Sequence, residues 1–390
     1  MSSWLDEVDG RLIGLTVAMK LVVLTGGVVA VLVYGSREVH NLIDVLAIWN
    51  RWDAPHYLDV AVFGYRAVDN GDLIGPNGYR SVYPGDLPLY IVFYPLYPAF
   101  VGVLTKLSGQ PLVSAFVVTT LASLFVLPLL YRVVRTDHSP GVAMRAAWFL
   151  IIFPTAYVLH IGYTESLFLA LVLGSFLAAH NERWWLAGAL GGLAALTRIN
   201  GLILIPALTA EAATQWFSRP PEERRIRPEW AAISLVAVGF AVYLGINQVV
   251  YGSPLEFLTI QHEHWFKTVA PPWHGIASLF GELGAADPDR SLMYGGNELL
   301  FAGVGLVATV HAAIRLRPSY FTWMALNWLL FLSTSFVLSV PRYTLTLFPL
   351  FISLGLLTER RRWLTVGISL VFVGAFFYFG ARFANGAWAF

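Results

Sequence analysis

The 390-residue chain has no cysteine, which excludes disulfides, thiolate nucleophiles and cysteine-ligated metal centres. Charge is scarce: 13% of residues are Asp, Glu, Lys or Arg, against 57% hydrophobic, and the net charge is +1. That balance offers no basic surface for nucleic acid. Also missing are a GxxxxGK[ST] phosphate loop, a GxGxxG turn, an HExxH helix and a GxSxG elbow. A nucleotide-binding half is therefore lacking, and an activated donor has to arrive through the lipid phase. What the chain does have is apolar length. Its mean hydropathy is +0.64, and it holds several runs of about 17–25 residues, enough for a helix to cross a bilayer.

The first run, residues 12–34, is too long for the apolar core of a signal peptide and has no small-residue cleavage site after it, so it is expected to remain as a first helix. Arginines cluster at Arg132/Arg135/Arg145, Arg219/Arg224/Arg225/Arg227, Arg315/Arg317 and Arg360/Arg361/Arg362. The positive-inside rule makes these cytoplasmic loops. Working outward from them gives an all-α polytopic membrane protein with about 11 crossings and a cytoplasmic N-terminus. The crossings fall near 12–34, 111–134, 142–159, 164–180, 184–197, 199–216, 229–251, 298–314, 319–338, 341–357 and 363–380. If 89–107 also crossed, Arg132 and Arg135 would face outward. That segment, with Pro88, Pro95 and Pro98, is therefore expected to be a re-entrant or interfacial helix on the outer side. The outer loops 36–110 and 252–297 then share one membrane surface, the active-site face of a single domain spanning 1–390.

One turn-rich stretch, Asn50 to Asp59, gathers Trp52, Asp53, His56, Tyr57 and Asp59. Asp53 suits a general base that takes a proton from an acceptor hydroxyl attacking a phosphate-activated sugar. Taken alone it would suit the cap of a helix starting at Ala54-Pro55, but its Trp52, His56, Tyr57 and Asp59 neighbours favour function, and both roles are compatible. His56, Asp59 and Trp52 share a helix face. They fit contacts to sugar hydroxyls or phosphate, or a solvated pair in an interfacial aromatic belt, and the residues favour neither. Tyr163 and Glu165 open a helix, where Glu165 is either a second site carboxylate or a complement to the helix dipole. Arg198, between two half-length segments, and Arg342 are costly charges in apolar surroundings. A lipid donor's phosphate would suit either one, as would an internal salt bridge. His262, His264, Trp265 and Lys267 form the densest polar and aromatic run of the second loop. A bare HxH lacks further ligands, so no metal is expected. Trp265 and Lys267 suit a sugar face better, and Tyr343 stands beside Arg342.

These motifs carry a resemblance. Arg51-Trp-Asp-Ala-Pro-His-Tyr-Leu-Asp-Val-Ala61 with Gly64-Tyr65 resembles the RWDxxHYLxIAxxGY segment of PIG-V-type, GPI mannosyltransferase II-like enzymes, which add the second mannose in GPI assembly. Phe93 to Pro98 resembles their FFPLFP element, Gly162 to Phe168 their GYSEALF run, Thr197 to Leu202 their RSNGL, and Pro341-Arg342-Tyr343 with Pro349 their RY…P element. The resemblance implies a GT-C glycosyltransferase fold and a polyprenyl- or dolichyl-phosphate-mannose donor. It further implies an inverting transfer at the extracytoplasmic face onto a lipid-linked or glycolipid hydroxyl, with Asp53 as general base and no cofactor. The lack of cysteine and of an ER retention signal points to a prokaryotic plasma membrane and to an acceptor other than GPI. Two alternatives stand beside it: a transporter or flippase of lipid-linked sugars, whose usual paired repeats are not visible here, and a non-catalytic membrane subunit.

Overall fold

Helix boundaries follow the sequence's own punctuation in the computed structural model, which describes residues 7–65, 74–81 and 89–390. Pro88, one of the three prolines assigned to the interfacial segment, lies outside the described residues. The first long helix, α1 (Glu7–Val33), leads to α2 (Leu42–Ala47). A reciprocal capping box opens α2: the Asp44 N–H donates to the Asn41 side chain at 3.1 Å and the Asn41 N–H to the Asp44 carboxylate at 3.2 Å. Next come α3 (Asp53–Phe63) and α4 (Leu96–Ser108), the latter ended by Gly109 at φ +68°. In α5 (Pro111–Arg135) a proline occupies the first turn and Arg132 and Arg135 the last, each suited to its end of the helix dipole. Beyond it lie α6 (Pro140–Ile151), α7 (Glu165–His180), α8 (Trp184–Ala195), α9 (Leu204–Phe217) and α10 (Ser234–Tyr251). The second long loop carries α11 (Glu256–Glu263), α12 (Pro272–Leu283) and the single turn α13 (Pro288–Arg290). The chain finishes with α14 (Asn297–Arg315), α15 (Pro318–Leu332), α16 (Val340–Thr344), α17 (Pro349–Thr358) and α18 (Arg362–Ala384).

Among the described residues, 5 helical segments are long and apolar enough to cross a bilayer: Glu7–Val33, Pro111–Arg135, Pro228–Tyr251, Pro288–Arg315 and Arg362–Ala384. The other expected crossings are shorter and broken, and prolines account for several of the breaks. The segment expected at 142–159 leaves the α-helix at Ile151, just before Pro154, and continues as the fully buried 3₁₀ turn Ala156–His160. The one expected at 341–357 divides into α16 and α17 ahead of Pro349. That at 319–338 ends at Leu332. As for 89–107, its helix α4 has 13 residues and rises about 20 Å, short of a bilayer core of about 30 Å; it packs on α3 and α5.

Small residues set the closest approaches. A Cβ on Gly188 would lie 1.9 Å from the Ala232 carbonyl oxygen, and one on Gly239 2.1 Å from that of Gly192, so α8 and the α10 segment meet backbone to backbone. Between α8 and α9 the chain breaks at Arg198 and passes through the 3₁₀ turn Ile199–Ile203, where a Cβ on Gly201 would strike the Ala195 nitrogen at 2.5 Å. The buried amides Asn200 and Asn327 lock this break with a 2.9 Å hydrogen bond. A second, aromatic core containing Tyr57, Tyr90, Phe93, Tyr97, Tyr243 and Phe257 lies under the first loop and joins it to α10 and α11. Gly239→Leu should destabilise the fold by about 3 kcal/mol or more, since overpacking here meets backbone. Gly367→Leu, which faces open space, should leave the melting temperature in detergent unchanged.

Candidate active site

Two helix N-termini point carboxylates at two arginines. Asp53 is the first residue of α3 and Glu165 the first of α7, where the helix dipole favours negative charge. The cap position of α3 is Trp52, whose side chain makes no capping bond. The Asp53 carboxylate instead pairs with the Arg342 guanidinium at 2.8 Å, so the expected capping role is replaced by an ion pair. Trp52 has φ +54°, a strained conformation for a bulky residue. Tyr163 clamps the turn: its hydroxyl donates to the Arg51 carbonyl at 3.1 Å and accepts the Asp53 N–H at 3.3 Å.

Glu165 is the hinge between the arginines. Its Oε1 lies 2.7 Å from Arg198 Nη1 and 3.0 Å from Arg342 Nε. Arg198 Nη1 also donates to the Thr164 hydroxyl at 3.0 Å. Four charges thus alternate in a row, Asp53–Arg342–Glu165–Arg198. Aromatic rings floor it: Tyr343 lies under both guanidiniums, 5.3 Å from Arg198 and 5.5 Å from Arg342, and Tyr163 lies 5.2 Å from Arg342. Side-chain exposure decides which end meets a ligand: Glu165 is 1% exposed and Arg342 6%, but Arg198 15% and Asp53 27%. Burial alone would push the Asp53 carboxyl up. The Arg342 guanidinium, aided by His56 and Arg198, overrides this and holds it below the ordinary carboxylate range.

The other expected site residues divide. His56 lies tilted against Tyr90 at 4.5 Å and Phe93 at 4.9 Å and meets Trp265 edge-on at 5.9 Å, joining the two long loops. Tyr57 packs inward against Phe93, Tyr97 and Tyr163. Trp52, 40% exposed, meets Trp388 edge to face at 5.0 Å. Asp59 is fully buried and accepts hydrogen bonds from Tyr79 at 2.7 Å and Ser81 at 2.8 Å, which makes it an anchor of the first loop. His262 and His264 are exposed on the second loop. Lys267 stands over Phe336 at 5.7 Å, in a segment stitched to the strand-like run before α16 by the Ser335 N–H to Thr268 carbonyl bond at 2.8 Å.

Glu298 went unnoticed in the sequence. It is fully buried, and its carboxylate accepts the N–H groups of Ser339 and Val340, both at 2.7 Å. These are donors at the start of α16, the five-residue helix that carries Arg342. Ser339 itself sits at φ +71°. The available signal was a lone acid opening an apolar run, which a dipole complement explains equally well.

Residues 88–245 match the dolichyl-phosphate-mannose-protein mannosyltransferase family. The chain is a distant relative of the GPI alpha-1,6-mannosyltransferase 2 of Rattus norvegicus, 29% identical over 172 residues, 44% of this chain and 33% of that protein. It is 30% identical to the Mus musculus protein of the same name over 155 residues, 40% of this chain and 29% of the other. It therefore spans about a third of the length of these curated relatives. The fold is shared with ArnT from Cupriavidus metallidurans, crystallised bound to undecaprenyl phosphate: the TM-score is 0.51 at 16% identity, over 92% of this chain and 62% of that one.

Because the pKa of Asp53 is depressed in the fold, its ionised form stabilises fully above an ordinary value of about 4, and that contribution fades as pH falls through the lowered pKa. The melting-temperature gap between the wild type and Asp53→Asn should accordingly be widest near neutrality and narrow toward pH 3. Glu298→Ala, which strands two buried N–H donors, should cost about 2–4 kcal/mol in the same assay.

Proposed function

We propose that this chain is an inverting membrane glycosyltransferase of the GT-C type. In this reading it moves mannose from a polyprenyl- or dolichyl-phosphate-mannose donor to a hydroxyl of a lipid-linked or glycolipid acceptor. The observation that carries the reading is the alternating charge row in which Asp53, the most exposed member, pairs with Arg342 while Arg198 closes the other end. Asp53 takes the proton from the acceptor hydroxyl as its oxygen attacks the anomeric carbon. The bond from that carbon to the phosphate oxygen breaks on the opposite face. The departing polyprenyl phosphate carries the negative charge, which Arg342 and Arg198 meet.

The arginines are already engaged, and this shapes the chemistry. A phosphate reaching Arg342 competes with Asp53 for the same guanidinium. As Arg342 turns to the phosphate, Asp53 loses the cation that depresses its pKa and becomes the stronger base. Donor binding and activation of the base are thereby linked. His56, Trp265 and Tyr343 supply faces for sugar rings and Lys267 a further cation, while the polyprenyl tail leaves toward the bilayer beside α4. The relatives named for GPI mannosyl transfer support mannose as the sugar. The undecaprenyl phosphate bound to ArnT supports a polyprenyl-phosphate carrier. The positive-inside rule puts the arginine clusters in the cytoplasm and hence the site at the extracytoplasmic face. Charges gathered at one end of the bundle, rather than at its midplane, favour transfer over transport.

The test is transfer of radiolabelled mannose from a short-chain polyprenyl-phosphate-mannose in detergent. At equal folded yield, Asp53→Asn should lower turnover by about 100-fold or more while donor binding is retained. Undiminished transfer by the variant would remove Asp53 from the reaction.

A further inference from the structure

A crevice of about 1400 Å³ runs along α5 between α7 and α8, with α4 at one end. Its walls are hydrocarbon, among them Phe100, Leu121, Phe125, Leu171 and Leu190. Its other end is different: Arg132, Arg135, Asn181 and Arg183 gather there. The lining stretch of α5 from Val118 to Arg135 rises about 26 Å, close to the depth of a bilayer's hydrocarbon core at about 30 Å.

The two ends differ in their unmet charge. Asp9 pairs with Arg132, and Glu182, the residue before Arg183, is shared by Arg219 and Arg227. Among the described residues no carboxylate lies within ion-pair distance of Arg135 or Arg183; Arg135 reaches only the His138 carbonyl, at 2.6 Å. Two cations at the foot of an apolar, membrane-deep channel are unlike the charged row at Glu165, which opens α7 at its opposite end.

We propose that this crevice binds an anionic glycerophospholipid, its phosphate against Arg135 and Arg183 and its acyl chains along α5, α7 and α8. Charge complementarity selects this occupant. A polyprenyl tail whose phosphate sits at the catalytic row would put only hydrocarbon here and leave the arginines unmet. A free phosphate would leave the walls exposed, and a zwitterionic lipid brings its own cation. The arginine end is also the cytoplasmic end by the positive-inside rule, where anionic headgroups are enriched at the leaflet surface. The inference rests on the membrane-spanning reading of the helices and is independent of sugar transfer.

The experiment is native mass spectrometry of the full chain in neutral detergent, titrated separately with phosphatidylglycerol and phosphatidylcholine, with thermal melts alongside. Phosphatidylglycerol should bind selectively and raise the melting temperature. Arg135→Gln with Arg183→Gln should weaken that binding by about tenfold or more, whereas Arg135→Lys with Arg183→Lys should retain most of it. Leu171→Trp, which fills the channel without touching the arginines, should also displace the lipid. Equal binding of phosphatidylcholine by the wild type, or undiminished phosphatidylglycerol binding by the Gln pair, would overturn the proposal.

Discussion

The grip of Arg342 on two carboxylates is the interaction on which the rest of the site depends. An arginine with a side chain 6% exposed is tolerable only if its charge is answered, and two anions from remote parts of the chain answer it. Meeting Asp53 brings the first loop onto the bundle, and meeting Glu165 seats the start of α7 beside α16. A helix of five residues cannot hold itself together. Glu298 ties its first N–H groups from α14, and Tyr163 and Tyr343 hold the guanidinium between rings. Much of the surrounding architecture keeps one cation in place against its desolvation.

The charged members of this row were legible in the sequence because of where they stand. Arg198 and Arg342 interrupt apolar surroundings, where charge needs a reason, while Asp53 stands in a polar and aromatic cluster and Glu165 opens a helix. Their partnerships were not legible, since pairing depends on folding together segments nearly three hundred residues apart. The capping alternative for Asp53 failed because Trp52, at positive φ, takes the cap position one residue earlier, and the Asp53 carboxylate pairs with Arg342. His56 and Asp59 shared a helix face on paper, but Asp59 turned to Tyr79 and Ser81, residues of the loop that follows. Glu298 was missed because a carboxylate at a helix start has a local explanation, while its true partners, the amides of Ser339 and Val340, lie some forty positions on.

The membrane reading shows the same division. Apolar length gave the all-helical class, and the arginine loops, with proline position, kept the α4 segment from being a crossing. Reading 142–159 and 341–357 as unbroken crossings overlooked what Pro154 and Pro349 do to a helix, and it smoothed over the buried 3₁₀ turn Ala156–His160 and the break between α16 and α17. Likeness to known proteins is also uneven. The fold likeness to ArnT covers 92% of this chain, whereas sequence kinship to the curated relatives stops at 44% of it.

The row Asp53–Arg342–Glu165–Arg198 has as many positive as negative members, so its fields cancel within a few ångströms. A row balanced in this way by itself neither draws anionic lipids from a distance nor repels them. Added salt, which screens interactions reaching beyond a Debye length, has little there to screen. In the proposed reaction, selection at such a row would be made at contact, by how well an incoming phosphate replaces a carboxylate already in place.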